Sequence, residues 1–501
     1  MSASQPTFDI VIRHGMVVDG SGGEPYRADV GVRGDRIAAV GRLDLAESVT
    51  TLDAGGLMVA PGFIDVHAHD DEAVFQWAAC QPMLSQGVTS VVVGNCGVSL
   101  APLSPKGELP APLNSLAEPA RFRFATFSQY VDALQVTPLP VNVAALVGHG
   151  TLRVKNMEDF SQAATVAEIQ AMVQDVQAAM AAGAAGLSCG LAYPINRGAD
   201  TDEVVTLARA AAAHHGLLCM HIRDEFDGVA DAVREAFQCA RRSRAFLVLS
   251  HQKVAGLANF GRSLELIDLY LREGPDIPFA IDAYPYAAGS TMLDPFYVAN
   301  SRQVLLAWSQ PHPEMNGRSL EQISAEWGCA QADTIRRLQP AGAVYFDMDE
   351  ADVSRFLSWN RCMVGSDGLP HDEHPHPRLY GAFARVLGEY ARDRGLFSVA
   401  EAVRKMTSLS ASVFGLSGRG LVQEGCFADL VLFDPTRVQD RATYTNPRQE
   451  SGGIERVFVN GRQAWPLPPD QSGCWGRFLA GRGMLAPRHR GKTENNIPPE
   501  N

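Results

Sequence analysis

Short apolar runs alternate with longer amphipathic stretches through the middle of the chain. The runs are 58–66, 90–95, 143–148, 185–188, 217–220, 246–250, 278–281 and 362–366. Uninterrupted apolar segments of this length read as strands buried on both faces. Between them, 165–182, 201–215, 228–241, 261–272 and 380–393 read as helices. About eight strands alternating with helices predict an α/β fold, a (β/α)8 TIM-like barrel. Most runs end in a side chain able to bind a metal or move a proton: His67, Cys96, His149, His221, His251, Asp282 and Asp367. Packing alone gives no reason for that bias, whereas barrels of this kind gather reactive groups at the C-terminal ends of their strands.

The first 56 residues follow a different pattern. Segments 8–12, 15–19, 28–32 and 36–40 are short and roughly alternating, with Gly/Asp-rich turns between them. The pattern returns at 428–433 and 456–461. It predicts a small β-sandwich domain built from both ends of the chain, residues 1–60 plus 418–470, with the barrel spanning 61–417. Ser398-Val399-Ala400-Glu401 forms a capping box that starts a last helix before the late strands. Residues 286–345 break the barrel rhythm, carry a helix near 319–338, and read as an insertion at the mouth after the seventh strand. Residues 471–501 form a tail whose last dozen residues have the composition of disorder.

Composition narrows the function classes. Of 501 residues, 46% are hydrophobic and 20% charged, as expected of a soluble globular protein. The net charge of −13 disfavours nucleic acid and anionic membranes as partners. There is no apolar run long enough to span a bilayer, and the N-terminus lacks a secretory signature. Nine scattered cysteines without framework spacing favour a reducing cytoplasm.

His67-Ala68-His69 follows the first run directly, and residues i and i+2 of a strand face one side, so both imidazoles can address one ion. Ala60-Pro61-Gly62-Phe63-Ile64-Asp65-Val66-His67-Ala68-His69 resembles the first-strand motif of the amidohydrolase superfamily. Gly94-Asn95-Cys96-Gly97, Gly148-His149-Gly150-Thr151-Leu152-Arg153, Gly190-Leu191-Ala192-Tyr193-Pro194, His221-Ile222-Arg223-Asp224-Glu225 and Gly365-Ser366-Asp367-Gly368 resemble its N-acyl-D-amino-acid deacylase (D-aminoacylase) branch, over roughly residues 8 to 465. The resemblance implies a tightly bound zinc on Cys96, His221 and His251, and a second, weaker site on His67 and His69. Many relatives bridge two metals with a carboxylated lysine on the fourth strand. Here that strand reads Gly186-Leu187-Ser188-Cys189-Gly190, so either Cys96 bridges or one metal suffices.

Asp367 is the candidate general acid/base. His149 reads as a structural or supporting histidine, and Cys189 and Cys219 as packing. An N-acyl amino acid carries an α-carboxylate and needs a cation or hydroxyls in its pocket. By resemblance Arg378, Tyr284 and Lys253 form that clamp, while Tyr193 and Ser290 occupy mouth positions. Arg302 is a candidate partner for an acidic substrate side chain. The expected activity is zinc-dependent hydrolysis of N-acyl-D-amino acids, small-molecule substrates. The alternatives are a deacylase selective for N-acyl-D-glutamate or N-acyl-D-aspartate, a cyclic-amide hydrolase, and a non-catalytic scaffold.

Overall fold

The apolar runs form strands because each is buried on both sides. The computed structural model describes residues 7–44, 46–105, 107–468 and 472–482. Eight strands make the barrel: β1 (Phe63–Asp65), β2 (Val88–Val93), β3 (Asn142–Ala145, resuming at Val147–Gly148), β4 (Gly186–Gly190), β5 (Leu217–His221), β6 (Phe246–Leu249), β7 (Phe279–Ala283) and β8 (Cys362–Val364). Successive strands pair in parallel from β1 to β8. Just past the strand ends, β8 meets β1: Ser366 N donates to Asp65 Oδ1 (2.9 Å) and Asp367 N to the His67 carbonyl (2.8 Å).

Helices start where caps allow. Thr165 and Glu168 form a capping box for Val166–Ala181, and Asp200 caps Thr201–Ala212. Val229–Ser243 and Ser263–Glu273 complete the expected set. The expected helix at 380–393 begins as Arg378–Arg385 and widens into a π-helical stretch at Val386–Asp393. The one expected near 319–338 is two, Leu320–Trp327 and Gln331–Leu338, parted by Gly328 at φ +61°. Phe127–Val136, His149–Asn156 and Glu350–Ser358 are helices that the pattern did not announce.

The first apolar run divides. Met58–Pro61 pairs antiparallel with Leu430–Phe433, whereas Phe63–Asp65 enters the barrel. Gly62 makes the crossing, since a Cβ there would stand 2.1 Å from Thr89 Oγ1. Strands from both chain ends, Phe8–Val17 through Met58–Pro61 and Leu430–Phe433 through Arg462–Trp465, hydrogen bond into one eight-stranded sheet. Its buried face carries Ile12, Val30, Val32, Val59, Leu430 and Phe458. Segments 8–12 and 15–19 belong to one strand whose register shifts around His14.

The segment between β7 and β8 holds a three-stranded antiparallel sheet, Gly289–Met292, Val304–Ser309 and Ala341–Tyr345, with a core of its own. The start of the tail pairs with the barrel. Gly476 N donates to the Leu139 carbonyl, Val143 N to that of Arg477, and Leu479 N to that of Val143, binding 476–479 along the start of β3. The dozen last residues expected to be disordered lie outside the described residues. Among the described residues no helix is long and apolar enough to cross a membrane.

Candidate metal centre

The C-terminal ends of the barrel strands bring five of the expected side chains to one point, joined by His69 two residues past His67. His67 follows β1, Cys96 follows β2, His221 ends β5, His251 follows β6 and Asp367 follows β8. Cys96 Sγ lies 3.2 Å from His67 Nε2 and 3.2 Å from His251 Nε2. His251 Nε2 is 2.9 Å from His221 Nδ1. On the other side, Asp367 Oδ1 is 3.2 Å from His69 Nε2 and 3.5 Å from His67 Nε2. These atoms fall into two groups that share the thiolate: Cys96, His221 and His251, and His67, His69, Cys96 and Asp367.

Their spacing and chemistry fit a zinc site. Two nitrogens each about 2.0 Å from a tetrahedral zinc stand roughly 3.3 Å apart, and a nitrogen–sulfur pair roughly 3.5 Å. Without a cation, one point would hold a thiolate, a carboxylate and four imidazoles, all buried. Burial alone would raise the Cys96 thiol, but His67 and His251 hold it well below its ordinary value. Burial would also raise the Asp367 carboxyl, and Arg378 holds it well below the usual range. Both groups are therefore anions, suited to a divalent ion.

Backbone strain concentrates here. Seven described non-glycine residues have positive φ, and three of them are Cys96 (+54°), His251 (+32°) and Asp367 (+50°). Each stands just past a strand, where the turn aims its side chain into the mouth. Conformations of this kind persist where the surroundings over-determine them, and they cluster at functional sites.

Two carboxylates support the ligands from behind. Asp282 Oδ1 is 3.1 Å from His67 Nδ1 and accepts from His251 N (2.8 Å). Glu225 Oε1 is 3.1 Å from His251 Nδ1. His251 Nδ1 also meets Lys253 Nζ at 2.7 Å. Sequence reasoning named neither carboxylate as a site residue, although Asp282 ends its run as the ligands do.

The cleft above the cluster encloses about 880 Å³, counted out to its open mouth, and Tyr193, Lys253, Tyr284, Ser290 and Arg378 all line it. Lys253 Nζ donates to Glu225 Oε1 (2.7 Å). Arg378 is buried, with Nη1 2.7 Å from Asp367 Oδ2 and Nη2 donating to the Ser290 carbonyl (3.3 Å), while Nε has no partner. Its guanidinium lies over the Tyr284 ring, 4.6 Å from the centroid. The Tyr284 hydroxyl reaches only Met348 Sδ, at 3.7 Å. The Tyr193 ring packs 4.9 Å from that of His221.

Four residues lie elsewhere. His149 bonds Glu203, outside both groups. Cys189 and Cys219 are buried in the strands. Arg302 is exposed, stands over the Phe260 ring at 5.8 Å and is not among the residues that line the cleft.

The amidohydrolase family model matches residues 50–298 and 331–464, leaving a gap inside the inserted segment. The D-aminoacylase of Alcaligenes xylosoxydans xylosoxydans is 49% identical over 479 residues, 96% of this chain and 99% of that protein. A D-aminoacylase structure solved for its binuclear metal centre, described as one-metal activation and second-metal attenuation, superposes with TM-score 0.91 at 47% identity, covering 94% of this chain and all of the other. The N-acyl-D-glutamate deacylase of Bordetella bronchiseptica, solved with zinc and a phosphonate mimic of the tetrahedral intermediate, gives TM-score 0.91 at 46% identity over 95% of this chain and all of that one.

Proposed function

The chain belongs to the amidohydrolase family, and on that footing we propose how its cleft performs the family's chemistry. The protein is a zinc-dependent hydrolase of the amide bond of N-acyl-D-amino acids, releasing a carboxylate and a free D-amino acid. The observation that carries this reading is the convergence of Cys96, His221 and His251 beside Asp367.

Cys96, His221 and His251 would hold the tight zinc, and His67, His69 and Asp367 a weaker second ion sharing Cys96. A bound zinc lowers the pKa of a coordinated water and polarises the scissile carbonyl. Asp367 accepts the proton of the attacking water through its carboxylate and returns it to the departing amide nitrogen. Arg378, 2.7 Å away, keeps Asp367 ionised and ready as a base. Glu225 and Asp282, each 3.1 Å from Nδ1 of His251 and His67, place negative charge behind the two rings.

The substrate α-carboxylate supplies the acceptor that Arg378 Nε lacks and that the Tyr284 hydroxyl finds only weakly in a thioether. Lys253 adds positive charge, and Ser290 and Tyr193 flank the carboxylate and the metal side of the cleft. All these residues lie in the barrel portion (61–417), so the terminal sheet (1–60 and 418–470) supports the fold rather than the chemistry. With no lysine on β4, the cluster differs from carboxylated-lysine centres, which favours a linear over a cyclic amide. An intact ligand set speaks against a scaffold. The net charge of −13 supports a small-molecule rather than a nucleic-acid partner, and nine free cysteines support residence in the cytoplasm.

Metal analysis with a ninhydrin assay of N-acetyl-D- against N-acetyl-L-amino acids tests the reading. One tightly held zinc and turnover of the D-series are expected; metal-free protein active on neither series would end it.

A further inference from the structure

The wall of the cleft opposite the metal ligands comes from the inserted sheet, whose strands contribute Met292, Trp308 and Tyr345. Asp347 follows the last of these strands. It is 4% exposed, lines the same cleft, and its Oδ1 has no hydrogen-bond partner. The backbone seats it firmly: Gly256 N donates to the Asp347 carbonyl and Ala255 N to that of Glu225, both at 2.8 Å. Burial pushes its carboxyl up to about 7, offset in part by Lys253 and reinforced by Glu225.

An unsatisfied buried carboxyl calls for a donor. No neighbour supplies one, since Lys253 is bonded to Glu225. The other lining cation, Arg378, is paired with Asp367. Among the described lining residues there is no further Lys or Arg. Above about pH 7, where Asp347 is ionised, a second carboxylate on the substrate would therefore meet it without a free cation to hold it. A side chain ending in N–H would give Asp347 its missing partner.

We infer that Asp347 sets the side-chain specificity of this cleft, favouring N-acyl-D-amino acids whose side chains end in an N–H donor, amide or ammonium, and rejecting acidic ones. The inference rests on the deacylase reading and narrows it away from the glutamate- and aspartate-selective alternative. The apolar part of the wall, Met292, Trp308 and Leu116, contacts the methylenes that precede the donor.

N-acetyl-D-glutamine and N-acetyl-D-glutamate have the same shape, so the ratio of their kcat/KM values isolates the contact. Assayed above about pH 8, where Asp347 is ionised, the wild-type ratio should favour glutamine by on the order of 10²-fold. Asp347→Asn can donate to a carboxylate, and should lower that ratio at least about tenfold through KM for the glutamate substrate. Asp347→Ala should lower it through loss of repulsion, and covers the case in which Asp347→Asn fails to fold. Zinc content and circular dichroism of each variant should match the wild type. A wild-type preference for glutamate, or a ratio unmoved in both folded variants, overturns the assignment while leaving the deacylase reading intact. Wild-type zinc enzyme inert on every N-acetyl-D-amino acid overturns both.

Discussion

Two buried polar clusters sit at barrel strand ends and differ in how their charges are answered. After β3, Arg153 Nη1 donates to both oxygens of Glu203 (2.6 and 2.7 Å), Nε to the Ile195 carbonyl, and Nη2 to the carbonyls of Phe160 and Gln162. Glu203 also bonds His149 Nε2 at 2.7 Å. All five guanidinium donors are used, the backbone around them is relaxed, and His149 Nδ1 is the one ring nitrogen there without a partner. At the Cys96 cluster the anions meet one another and the imidazoles, three residues stand in strained turns, and Arg378 keeps a donor unused. A polar network that closes on itself holds a loop in place. One left open toward a cleft is arranged for something that arrives.

Mutations should separate the two. The largest effect belongs to the open cluster: Asp367→Asn should lower kcat by about 10²- to 10⁴-fold while zinc, read by metal analysis, stays bound. Near-normal turnover would remove the general-base role. In the closed cluster, Arg153→Ala leaves Glu203 buried without its partner and should cost roughly 3–5 kcal/mol in denaturant unfolding, with KM of the folded enzyme unchanged. A lost KM there would mean that the closed network reaches the substrate. Arg378→Lys gives up the planar fork and should raise KM about 10- to 100-fold at constant zinc content, the worth of one or two charged hydrogen bonds.

The smallest effect is one of pH. Burial opposes ionisation of Glu203, yet His149 and Arg153 lower it to about 2 from an ordinary 4.5. A depressed carboxyl stabilises the fold above its unfolded pKa, so this contribution is whole above about 4.5 and fades as pH falls toward 2. Urea titrations across that window should show Glu203→Gln with a flatter acid limb than the wild type. Parallel limbs would mean that Glu203 is not the group that titrates.

The barrel was legible because strands covered on both faces leave unbroken apolar runs, and its helices because Thr165 and Asp200 announce their starts. The ligands were legible because each closes a run. The inserted sheet was not: Gly289-Ser290-Thr291-Met292 is half-buried and polar, and nothing in its spelling separates it from a loop. The split at Gly62 was hidden inside one apolar run, since the terminal sheet and the barrel make the same demand on Met58–Asp65. Glu225 and Asp347 obey no period. Only the meeting of distant loops at Ala255 and Gly256 gives them a role. Arg302 could not be placed from the sequence, because a cation in an inserted segment says nothing of which way its loop faces.

The pairing of Met58–Pro61 with Leu430–Phe433 has a consequence for biosynthesis. The early strand leaves the ribosome long before its partner is translated, and its bare edge stays available to chaperones or neighbouring nascent chains meanwhile. Release of the final stretch of polypeptide thus decides when a newly made molecule stops being vulnerable to aggregation.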